Sequence, residues 1–202
     1  NKKAVSKDFL NKDIRTSFLQ RMPFALKKYQ WYLPFMPSAT ESYDLTEFDL
    51  VISSSSAFAK GVITMPKTKH ICYCHTPTRY LWTDTHSYVS NLRLPKFIKR
   101  ILPLVLSRLR VWDQLAGDRS DFYLANSKTV QDRITKYYRR DSEILYPPVD
   151  LDAFNPKEKP GGDYFLAGGR LVAYKRFDLV IKAFNRLGIP LKIFGIGPEL
   201  DN

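Results

Sequence analysis

The sequence predicts an α/β protein made of parallel, doubly wound sheets spread over two domains. Three observations predict it. Short apolar runs that end in small or polar residues recur along the chain, and amphipathic or helix-starting stretches separate them. A polar stretch bearing Pro and Gly interrupts the pattern at 147–162, and the pattern then starts again. Compact apolar runs of this kind mark strands buried inside a parallel sheet. Strands alternating with helices place helices on both faces of that sheet.

The first forty residues are basic, aromatic and punctuated by Pro34 and Pro37; their pattern predicts a short helix over 14–33 and then an extended turn. The first strand runs from Phe48 to Ser54, and the second from His70 to His75, stopped by Thr76 and Pro77. The third, Phe122 to Asn126, is followed at once by a helix that starts at Ser127 and continues to about Tyr138. Glu143 to Tyr146 is the fourth. Residues 1–146 therefore make one Rossmann-like domain, 147–162 a linker, and 163–202 the beginning of a second domain. In that second part a strand and turn over Tyr164–Arg170 precede a helix over 174–187. Phe177, Val180, Ile181, Phe184 and Leu187 share one stripe of the helix, and a further strand covers Pro190–Gly195. This is a complete βαβ unit, and both domains read as incomplete within the chain.

Composition narrows the function. At 44% apolar and 14% aromatic in 202 residues, the chain can bury a core and is not disordered. The net charge of +12 asks for an anionic partner: nucleic acid, an anionic membrane face or a phosphorylated substrate. Cys72 and Cys74, the only cysteines, would point to the same face of a strand and are poorly placed for a disulfide. They read as small buried apolar residues in a reducing, cytoplasmic setting, and the lack of further cysteines argues against a cysteine-based metal site. No apolar run approaches the ~20 residues of a membrane span.

In doubly wound sheets the ligand sits beyond the carboxyl ends of the strands. That rule selects Ser53–Ser56 (Ser54 among them), His75–Arg79, and Asn126 with Ser127 as segments facing one crevice. A lone His is more often structural, but the strand-end location of His75, with Arg79, Tyr80 and Trp82 just beyond, favours a functional role. In the second part a strand ends in Gly168 and Gly169, Arg170 follows, and Lys175 stands at a helix start. Glycines let backbone approach a ligand closely, and a helix N-terminus offers free N–H groups. Arg170 can fork onto phosphate oxygens while Lys175 adds a point charge. Such a cradle suits a diphosphate, although the same spacing also describes two solvated cations beside a glycine turn. Gly195 and Gly197, after the next strand, join the proposed donor site. Neither a dinucleotide fingerprint nor a Walker loop is present.

The segments Ile71–Trp82, Leu124–Ser127, Tyr146–Asp150 and Gly168–Arg176 together resemble the mannosyltransferase-type members of glycosyltransferase family 4, over roughly residues 45–200. The resemblance implies a GT-B architecture, two Rossmann-like domains facing across a cleft, with acceptor on the N-terminal side and nucleotide-sugar on the C-terminal side. It implies a retaining hexosyltransferase that needs no bound metal or other cofactor. The donor would be a nucleotide-sugar, GDP-mannose first with other nucleotide-sugars left open, and the acceptor a glycan or lipid-diphosphate-linked glycan of surface-polysaccharide assembly. The family's phosphate-binding Arg and Lys match Arg170 and Lys175, and its cleft histidine matches His75; these three form the expected catalytic set, with Arg79 in the same motif. The family's Gly-rich loop would precede residue 1, and its paired-Glu motif would follow residue 202.

Residues 93–112 alternate apolar and basic groups. Phe97, Ile101, Val105 and Trp112 fall near one predicted helical face with Leu94, Ile98 and Leu109 beside it, while Lys96, Lys99, Arg100 and Arg110 lie elsewhere and Pro103 would kink the helix. Such a helix can lie on an anionic membrane, the inner face of the cell membrane here, or pack on its own sheet with a solvated basic side. Two alternatives to an enzyme are a sugar-nucleotide-binding scaffold without turnover and a basic nucleic-acid-binding protein. The second lacks a recognised module, and its charge is dispersed, so no nucleic acid is expected as a partner.

Overall fold

The computed structural model describes residues 9, 11–91, 95–152 and 162–200. It divides into two compact units, 1–148 and 149–202. Each is described by itself.

In the first unit, four strands form one parallel sheet in sequential order: β1 (Leu50–Ser55), β2 (Lys69–Cys74), β3 (Phe122–Ala125) and β4 (Glu143–Ile144). Register pairs Ser53 with Cys72, and Cys72 with Tyr123. Side chains alternate across a strand, so Ser53, Ser55, His70, Cys72, Cys74, Tyr123 and Ala125 share one face. All seven are buried. Helix α5 (Lys128–Tyr138) covers that face with Val130, Ile134 and Tyr138, which form a core with the two cysteines. Both thiols are free, and the neighbouring Cys72 thiol together with burial pushes the Cys74 thiol upward.

The opposite face differs from the expected two-sided covering. Leu50, Ile52 and Phe122 alternate with the buried residues and remain exposed, so among the described residues helices cover one side of the sheet only.

Residues 14–33 do not form the single predicted helix. A 3-10 turn over Phe18–Arg21, helix α1 (Ala25–Lys28) and a 3-10 stretch over Tyr29–Phe35 replace it. Pro23 has no N–H to donate, and Phe24 adopts a left-handed φ of 57°, which stops helix propagation. The predicted extended turn is instead helix α2 (Met36–Glu41), where Pro37 occupies the first turn that tolerates it.

After β2 come α3 (Thr85–Asn91) and the long α4 (Lys96–Gly117), with Pro103 inside it. Leu94 and the Phe97 side chain lie outside the described residues. The inward face of α4 is not the predicted one. Leu102, Leu106, Leu109, Asp113 and Ala116 are buried, whereas Ile98, Ile101, Leu104, Val111 and Leu115 face out. Val105 and Trp112 stand at the margin. The sequence offers apolar residues on several sides of this helix, and the one acid, Asp113, settles the rotation by pairing with buried Lys60.

In the second unit, β5 (Phe165–Gly168) and β6 (Leu191–Phe194) pair in parallel, joined by α6 (Phe177–Leu187). Phe184 of α6 packs on Phe165, with ring centroids 5.2 Å apart. Ile181 and Leu187 of the predicted stripe stay exposed, since a two-stranded sheet is too narrow to cover them. Most of the predicted linker, 153–161, lies outside the described residues.

Candidate functional site

The carboxyl end of the four-stranded sheet gathers the strand-end residues of the first unit. His75 follows β2 directly, and its N–H donates to Ser55 O at 2.8 Å, so the last ladder bond fixes the residue's backbone. Its exposed ring meets Ser54, the outward-facing penultimate residue of β1, with Nε2 and Oγ 2.8 Å apart. Tyr73 stands edge-on to the same ring at a centroid distance of 5.2 Å, and its hydroxyl donates to Leu145 O at 3.1 Å. The imidazole is thus held on two sides and open on the others.

The other acceptor-side residues are placed differently. Arg79 is exposed and pairs with Asp84. Asn126 N–H donates to Cys74 O, and Asn126 Oδ1 accepts from the Ser127 hydroxyl at 3.2 Å. Ser127 also accepts from Val130 N–H at 3.3 Å, the N-cap bond that starts α5. Ser127 therefore has a structural duty in addition to any functional one.

One neighbour outside the selected segments, Arg133, joins this end of the sheet. Thr76 Oγ1 accepts from Arg133, on α5, at 3.1 Å. Helical spacing could have flagged Arg133, which stands three residues after Val130 and next to Ile134, both buried in the core under α5. Deeper in, Lys60, Asp113 and Tyr138 form a buried polar cluster with Thr78 and Trp82.

In the second unit, Gly169, Arg170, Gly195 and Gly197 line one groove of about 550 Å³ together with Phe194 and Ile196. Gly169 N–H donates to Phe194 O at 3.1 Å and Leu171 N–H to Ile196 O at 2.9 Å, so the two strand-end loops run side by side. This approach requires glycine. Gly195 has a φ of 150°, and a Cβ there would collide with the carbonyl oxygen of Gly169. Gly168 lies beneath the Phe194 ring instead of in the groove wall.

Lys175 ends a 3-10 turn, Ala173–Lys175, and does not begin the helix as predicted. Helix α6 starts at Phe177 after Arg176, whose left-handed φ of 54° separates the two elements. The Lys175 ammonium nonetheless folds back over Gly169, lying 2.8 Å from where a Cβ would stand. The helix start carries its own anion: Asp178 accepts from Arg176 at 2.9 Å and 3.1 Å. Arg176 is thereby neutralised. Arg170 and Lys175 are exposed, and among the described residues neither has a carboxylate within ion-pair distance.

Among the described residues, no cluster of three His, Cys, Asp or Glu side chains could hold a metal ion, and no helix is long and apolar enough to cross a membrane. The family model described as Glycosyltransferase Family 4 matches residues 6–153. That range takes in all four strands of the first sheet and the Ser54–His75 contact; the glycine-lined groove lies beyond it. No curated protein matches the chain.

Proposed function

The chain belongs to glycosyltransferase family 4, and from that premise we propose that it serves a retaining hexosyltransferase that moves mannose from GDP-mannose to a lipid-diphosphate-linked glycan. Glycosyl transfer from a nucleotide-sugar donor, generally without a metal, is the family's role. The observation that carries the reading is the exposed His75 ring, held by Ser54 at the carboxyl end of a parallel sheet.

His75 would orient a hydroxyl of the transferred sugar or acceptor, with Ser54 fixing the ring. Retention would follow from direct front-face transfer. The bond from the sugar's anomeric carbon to the diphosphate breaks, and the electron pair leaves with GDP. The acceptor oxygen bonds to the same face of the sugar, and its proton passes to the departing phosphate oxygen. Stabilising the leaving diphosphate is then the main electrostatic task, and one donor contact of that kind is worth ~3–4 kcal/mol. Arg170 and Lys175, two cations without acid partners among the described residues beside a glycine-lined groove, suit it.

The acceptor side would work at the cytoplasmic face of an anionic membrane. Outward on α4, Ile101, Leu104, Val111 and Leu115 form an exposed apolar stripe, with Arg100 and Arg108 exposed beside it. Exposed apolar and cationic groups on one helix face suit an anionic lipid interface.

Thermal-shift titration with GDP, UDP and ADP tests the donor reading. GDP should raise Tm most, and the absence of a shift with all three would overturn it. The anomeric configuration of the transfer product, read by NMR, tests retention.

A further inference from the structure

We propose that Asp113 is a positioning residue for the segment Thr78–Trp82, which carries Arg79 out of the strand that ends at His75; the proposal rests on the transferase reading above. Asp113 is fully buried on α4. Its Oδ1 accepts from Lys60 Nζ at 2.6 Å and from Thr78 Oγ1 at 2.7 Å. Its Oδ2 accepts from Trp82 Nε1 at 2.8 Å and from the Tyr138 hydroxyl at 3.0 Å. One carboxylate on α4 thus binds three other stretches of chain, at Lys60, at 78–82 and at Tyr138.

Charge balance alone would need only Lys60, which is buried as deeply and also donates to Ala57 O at 2.7 Å. Three of the four bonds go elsewhere, two of them to the side chains that bracket Arg79. One turn earlier on α4, Arg110 donates to Leu81 O at 2.7 Å, so the same helix face grips the segment at a third point. Trp82 is stacked on Tyr137 with centroids 4.7 Å apart. Thr78 and Leu81 are fully buried, whereas Arg79 between them is exposed. The segment is therefore anchored on both sides of an outward-facing guanidinium. Asp84 pairs with the guanidinium itself, and the path of the backbone that presents Arg79 just beyond His75 follows from where Asp113 sits.

Lys60 belongs to the same device. It follows the end of β1, and its N–H donates to Ser55 Oγ at 3.3 Å. Ser55 adjoins Ser54, the partner of His75. The buried ion pair thus joins the chain leaving β1 to the chain leaving β2, the two exits whose residues meet at the imidazole.

The test removes the loop-side donors and leaves the ion pair intact. Thr78→Val and Trp82→Phe are made in the full chain, and backbone hydrogen exchange is followed by mass spectrometry. Loss of one such bond should speed exchange at 78–82 roughly 5- to 10-fold, with β1, β2 and α4 unchanged. In glycosyl transfer from GDP-mannose, kcat should fall with the donor KM unaltered, since the groups are present but misplaced. Asp113→Asn should show the same local signature more strongly; if it does not fold, the two loop-side variants decide. Unchanged exchange at 78–82, or an equal rise across the whole sheet, would overturn the proposal. Local loosening with transfer unaffected would overturn the positioning role, whereas absence of transfer in the parent chain would overturn the transferase reading instead.

Discussion

Ser54 and His75, twenty-one residues apart in sequence, meet at 2.8 Å because β1 and β2 pair in parallel and leave their ends at the same edge. Register puts Ser54 opposite Tyr73, so the next turn of chain on β2 lifts His75 over the Ser54 hydroxyl. If His75 orients the reacting groups, His75→Ala should lower transfer about 100-fold, the scale of a positioned catalytic side chain. Ser54→Ala removes one hydrogen bond and should cost about 5-fold. Steady-state transfer from GDP-mannose checks both, and equal losses for the two variants would contradict the assigned order of importance.

Lys175 and Arg170 carry the second expectation. Both are exposed cations without an acid partner among the described residues, and the Lys175 ammonium lies over Gly169. Lys175→Ala should reduce turnover about 10²–10³-fold, as for loss of one contact to developing charge. Arg176→Ala, by contrast, removes a cation already satisfied by Asp178 and should change turnover little. Comparable effects from Lys175→Ala and Arg176→Ala would place the phosphate site elsewhere.

Gly195→Ala should be a severely damaging change in the second unit. Its φ of 150° belongs to a region open only to glycine, and the added Cβ meets the Gly169 carbonyl. A strained residue of this kind costs roughly 1–3 kcal/mol. Limited proteolysis should show earlier cleavage within 163–200 and no change before 148. Gly188→Ala, where the φ is 67° and a Cβ meets nothing, should be milder.

The strands were legible because each is a short apolar run with abrupt polar ends, and the strand-end rule brought Ser54, His75 and Asn126 to one edge. The glycine-lined groove was legible for a similar reason, since only close backbone approach asks for Gly169 and Gly195 together. Helix facing was not. Residues 96–117 carry apolar groups on several sides, and what chose among them was a carboxylate whose partners lie 53 and 35 residues away. Local periodicity cannot register such a pairing. A single acid within an otherwise cationic helix was the available signal, because an unpaired buried charge is costly and must find a partner. Residues 14–33 failed for a local reason: Pro23 and the left-handed Phe24 outweigh the apolar spacing.

His70 makes stability depend on pH. It is fully buried, its Nε2 lies 2.9 Å from Ser53 Oγ, and burial holds its pKa below the ordinary 6.5. Between the folded-state value and 6.5 the unfolded chain binds more protons than the folded one, so stability rises with pH across that window. It is therefore complete above 6.5 and lost as pH falls through that value. Urea unfolding should show a lower midpoint at pH about 5.5 than at about 7.5, and His70→Gln should flatten the difference. A native profile that is already flat over this range would mean that the imidazole binds its proton equally well in the folded and unfolded chain.

The outward face of α4 gives the last expectation. Leu102, Leu106 and Leu109 hold the helix to the protein, so Leu104 and Val111 on the other side can be changed without touching the core. At 69% and 58% exposure they contribute little to folding, and a surface apolar stripe of this kind needs another reason to exist. If that reason is a lipid interface, two forces should act together: burial of the apolar side chains among acyl chains, and attraction of Arg100 and Arg108 to anionic headgroups. The forces can be separated. Leu104→Asp with Val111→Asp should abolish flotation with vesicles of mixed anionic and neutral lipid at any salt. Arg100→Gln with Arg108→Gln should weaken it by about 2 kcal/mol, near 1 kcal/mol for each charge, and remove much of its salt dependence. The Tm of both pairs should stay within about 2 °C of the parent, because neither touches the buried stripe. Flotation that persists in the Asp pair, or that never depended on anionic lipid, would assign the stripe to a protein partner instead of a membrane.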